Sequence, residues 1–60
     1  MSKAQDFDTW AAVVARELTA LGVDSAEAKH VPYENEDWFR AAFEDGQDAA
    51  VVAAEWFNHD

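Results

Sequence analysis

The side chains in this sequence with chemistry to offer are a large set of carboxylates and two histidines. His30 and Glu34 stand four residues apart, a spacing at which one helix turn can present two ligands to a metal. Pro32 lies between them and is expected to interrupt that helix. No Cys is present, and no further His is spaced to complete a transition-metal site. The pairs Glu36/Asp37 and Glu44/Asp45 are candidates for proton transfer, but that work needs an apolar recess that separates two pKa values. A chain of 60 residues has little core from which to cut such a recess. The expectation is a protein without catalytic residues, metal or cofactor.

Charge is the stronger signal. Thirteen acids against four bases give a net charge of −9 with His neutral. A magnitude of about 2–8 is ample for the solubility of a small domain. The excess is also uneven. From residue 30 onward, eight acids face Arg40 alone, a net −7, whereas the first 29 residues hold five acids and three bases, a net −2. Helix capping and solvation account for single acids but not for this imbalance. Carboxylates one helical turn apart stand about 5–6 Å from each other at Cβ. A helix edge and the next N-cap can therefore present a row of negative charge on the scale of a phosphate backbone. The candidate partner-binding residues are Glu34, Glu36, Asp37, Glu44, Asp45, Asp48 and Glu55.

Such a surface repels phosphates, so direct binding to nucleic acid or to an anionic membrane is not expected. It attracts a basic protein, above all one built to hold nucleic acid. In size and charge the chain resembles the small acidic proteins that phages and mobile elements use against host defences, the anti-CRISPR and anti-restriction DNA mimics. The resemblance lies in general character and transfers no residue. It implies an inhibitor that acts by occupying the basic surface of a nucleic-acid-binding complex. The alternative is a self-associating or adaptor helical module, with Val13, Val51 and Ala54 completing a helix–helix interface. Monomer or weak homodimer are the expected states.

These acids need elements to carry them. Ser2 and Gln5 have capping-box spacing, so a first helix is expected from near Lys3. Phe7, Trp10, Ala11, Val14, Leu18 and Leu21 form its apolar stripe, Thr9, Ala12, Arg16 and Thr19 lie opposite, and Gly22 suits a left-handed end. Asp24 with Glu27 caps a further turn or two, which Pro32 should stop. Val23, Val31 and Tyr33 are expected to close one end of the core. Asn35 then caps a helix whose apolar face is Trp38, Phe39, Ala42 and Phe43, and Asp45-Gly46 ends it. Asp48 caps a last helix with Ala49, Val52, Ala53, Trp56 and Phe57 inward. Trp38 and Trp56, at the edges of their arcs, are the candidates for exposed anchors.

No stretch alternates with period two, so no strand is expected. The fold class is all-α: a small antiparallel three-helix bundle with an additional short helical turn, one domain over 1–60. No apolar run approaches the roughly 20 residues of a membrane span. The first residues lack the basic and apolar regions of a signal peptide, which points to the cytoplasm.

Overall fold

The computed structural model describes residues 6–59. They form four helices and no strand: α1 (Phe7–Leu21), α2 (Ser25–Glu34), α3 (Glu36–Glu44) and α4 (Ala49–Asn58). The described residues are all-helical in class, as the sequence's periodicity leads one to expect. Helix α1 is the common support, with α2 and α4 packed along it and α3 set against the others.

The start of α1 lies at Phe7, not near Lys3; the Ser2/Gln5 pair falls outside the described residues. Asp6 has extended backbone, and its carboxylate accepts from the Thr9 N–H at 2.9 Å, which makes it the N-cap. The helix ends where Gly22 takes φ 116°. Gly22 N–H donates to Thr19 O and Val23 N–H to Leu18 O, the paired bonds of a Schellman ending. That ending folds Val23 back onto the core. Leu21, expected in the stripe, is 41% exposed. The turn has given its place at the end of the core to Val23.

Helix α2 corrects the reading of Pro32. The helix runs through the proline to Glu34, and the Pro32 side chain is fully buried. Proline removes one N–H, the donor that would have met the Ala28 carbonyl. Burial of the ring and closure of the helix end offset that loss. Asn35 donates to Val31 O from both its backbone N–H and its Nδ2, each at 3.1 Å. Its side chain is therefore spent on α2 and makes no cap hydrogen bond to α3, contrary to the role expected for it.

The core gathers Phe7, Trp10, Val14, Leu18, Val31, Phe39 and Val52 with small residues between them. Phe43 and Trp56 pack against it while partly buried. Phe43 stands 5.6 Å from Phe7 and 5.4 Å from Trp10, centroid to centroid. Trp10 Nε1 donates to the Gln47 carbonyl at 3.1 Å, so the buried indole is satisfied and the α3–α4 connection is tied to α1. Phe57 (41% exposed) lies outside this core, against its expected inward place, and of the two tryptophans at the edges of their arcs it is Trp38 (43%) that is exposed. Tyr33 is exposed as well and reaches the Asp8 carboxylate instead.

Candidate functional site

The acids of the second half are carried by α3 and the segments on either side of it. Glu34, Glu36, Asp37, Glu44, Asp45, Asp48 and Glu55 are all exposed. Two groups of them line depressions. A depression of about 380 Å³ is lined by Tyr33, Glu34, Asn35, Glu36, Asp37 and Trp38. Another of about 420 Å³ is lined by Trp38, Ala41, Ala42, Asp45, Gln47 and Glu55. The fold thus brings Glu55 of α4 beside Asp45, ten positions earlier. Trp38 is common to the lining of both depressions. Glu44 and Asp48 line neither depression.

Several of these carboxylates already have work. Glu36 accepts from Arg40 Nη2 at 2.8 Å and from Nε at 3.1 Å, and this is the one ion pair among the described residues. Hydrogen bonding to Glu36 is the main cause that holds the Arg40 guanidinium above its ordinary pKa. The same guanidinium lies 4.4 Å from the centroid of Phe7, so Arg40 also covers the end of the core. Asp48 accepts from Ala50 N–H at 3.2 Å as the cap of α4, as its position predicts. Asp45 accepts from Gln47 Nε2 at 3.3 Å. Glu34, Asp37, Glu44 and Glu55 have no hydrogen bond or ion pair to the described residues.

His30 and Glu34 sit one turn apart on a continuous α2, because Pro32 does not break it. Both are exposed, and the described residues contain no grouping of three His or carboxylate side chains fit to hold a metal. None of the described helices is long and apolar enough to cross a membrane.

Sequence reasoning named Trp38 as a candidate exposed anchor but missed that it lines both acidic depressions. The signal was present: Trp38 follows four consecutive polar residues, Glu34 to Asp37, and lies at the edge of the α3 arc. A large ring there must choose between core and solvent. Phe39 takes the core position, and Trp38 is left outside. Comparison with protein-family models, with curated proteins and with solved structures finds no match to this chain.

Proposed function

We propose that the protein is a small acidic inhibitor that occupies the basic surface of a nucleic-acid-binding partner, as DNA mimics of the anti-CRISPR and anti-restriction kind do. In this reading the antiparallel bundle is a rigid carrier in the cytoplasm for Glu34, Glu36, Asp37, Glu44, Asp45, Asp48 and Glu55. The supporting observation is the exposure of all seven carboxylates with a single basic side chain, Arg40, paired among them. An excess of exposed like charge costs a folded protein self-repulsion, and a basic partner turns that cost into attraction. Trp38 supplies what a charged row lacks, an apolar contact that water leaves on docking. The test is capture from host lysate on immobilised protein at rising ionic strength. A nucleic-acid-binding protein that is retained at low salt, released steeply as salt rises, and displaced by competing DNA supports the reading. Retention that is indifferent to salt refutes it.

Val51, 51% exposed on α4, favours the self-associating module as a second reading. Val13 and Ala54, expected to share that interface, are half-buried, which leaves Val51 as its main exposed apolar group. A dimer that persists in high salt and dissociates on Val51→Lys would establish it.

A further inference from the structure

Between Trp38 and Trp56 lies a cleft of about 270 Å³ lined by Asn35, Trp38, Trp56 and His59. Neither the core nor the acidic row accounts for it. We propose that this cleft receives a single guanidinium group, an arginine side chain inserted by the basic partner. The proposal rests on the reading of the acidic face as a docking surface and names the cation that the surface selects.

Indole rings attract cations through their electron-rich faces, and two indoles line this cleft. Both rings share one support. Trp38 stands edge-on to Phe39 with centroids 4.9 Å apart, and Trp56 lies 6.4 Å from the same ring. Phe39 is fully buried, so the ring against which both indoles rest is held by the core. Asn35 has committed its Nδ2 to Val31 O, which leaves Oδ1 as an acceptor at the rim. Glu34, Glu36 and Asp37 share one depression with Asn35 and Trp38, and Asp45 and Glu55 share another with Trp38. Their summed field draws a cation toward the indoles. Arg40, the nearest base in sequence, is held by Glu36 and Phe7 and does not line the cleft.

The chemistry favours guanidinium over ammonium. A guanidinium is planar, weakly hydrated, stacks on indole and keeps its donors free for Asn35 and the carboxylates. An ammonium is compact and must shed a tight hydration shell to reach the same rings.

The experiment uses the three tryptophans, each with its own indole N–H resonance. Isotope-labelled protein is titrated with blocked arginine, blocked lysine and blocked citrulline at constant ionic strength. Trp10 is the internal control, because it is buried and its Nε1 is bonded to Gln47 O. Blocked arginine should shift Trp38 and Trp56 saturably and leave Trp10 in place. Lysine should bind about three- to tenfold more weakly, and uncharged citrulline should give no saturable shift. Trp38→Leu should abolish the saturable shift of Trp56 and leave the Trp10 resonance unchanged. Equal response to arginine and lysine, a Trp10 shift that tracks the others, or a Trp56 shift that survives Trp38→Leu would each overturn the proposal. Should Trp38→Leu fail to fold, the ligand comparison in the wild-type protein decides alone. Salt-sensitive capture of a nucleic-acid-binding partner without an arginine-specific shift sinks the cleft and spares the inhibitor reading. An arginine-specific shift with salt-indifferent capture supports the cleft and sinks that reading.

Discussion

Trp38 and Phe39 are neighbours on α3 that meet edge to face, 4.9 Å apart at 81°, yet one is 43% exposed and the other fully buried. Successive helical residues point about 100° apart, so a short helix lying on a core can sink one of two adjacent rings but not both. The pair divides the work of α3. Phe39 secures it, and Trp38 faces outward beside the acids.

Truncating the two should therefore have unequal effects. Phe39→Ala should cost roughly 3–5 kcal/mol, comparable with the whole stability of so small a domain, and abolish a cooperative melt. Trp38→Ala should cost much less and keep the helical circular dichroism. Equal losses of melting temperature would contradict the division.

Tyr33 donates to Asp8 at 2.8 Å, and that bond is the main cause that raises the Tyr33 pKa above its ordinary value of 10.0. A raised folded pKa means that the bond's stabilisation is present below about pH 10 and lost as pH climbs through the folded value. Because the pair is exposed, its contribution should be a few tenths of a kcal/mol. The chain has one tyrosine, so phenolate absorbance reads this group directly. The midpoint should lie above that of a free tyrosine and fall toward it in Asp8→Asn. The stability gap between wild type and Tyr33→Phe should close at high pH.

Gly22 and Gly46 both hold positive φ, at 116° and 81°, with open space where a Cβ would stand. Any penalty for Ala there is a backbone penalty, about 1 kcal/mol or more. Gly22 lies further from the left-handed well that other residues reach, so Gly22→Ala should be the costlier change. Gly46→Asn should be nearly tolerated. Chemical denaturation of the three variants orders them.

Reversing Asp37, Glu44 and Asp45 to Lys should leave helicity intact, since all three are exposed. Partner association should slow, with the loss shrinking as salt rises. The matched single reversals Asp37→Lys and Glu27→Lys are the control pair, and Glu27→Lys, in the first half, should change the association rate far less. Stopped-flow mixing at two ionic strengths gives the comparison, and equal rates for both variants would argue against the acidic face.

What the sequence could disclose followed local rules. The α1 stripe from Phe7 to Leu18, the Gly22 turn and the Asp24 and Asp48 caps depend on residues within a turn of one another, and each stands where spacing puts it. The errors came from contacts between elements. Leu21 is apolar and in phase, but Val23 folds back over the position it would have filled. Pro32 is a helix breaker by propensity, and burial against the other helices keeps it inside one. Trp38 and Phe57 sit on arcs wide enough for the core, yet the core has room for Phe39 and Val52 instead. For the acids, spacing along the chain gave exposure, while the meeting of Glu55 with Asp45 beside Trp38 needed the tertiary fold.

The Trp10 Nε1 bond to the Gln47 carbonyl joins positions 37 residues apart, and that span has a kinetic consequence. Helices α1 and α2 meet through a short turn, so their pairing closes a small loop and can form early. Seating Gln47 and the start of α4 against Trp10 requires a far larger loop to close. Docking of α4 should then be the last step of folding and its release the first step of unfolding. Amide exchange should accordingly be faster in α4 than in α1, and each opening would briefly part Trp56 from Phe39 while the α1–α2 hairpin holds.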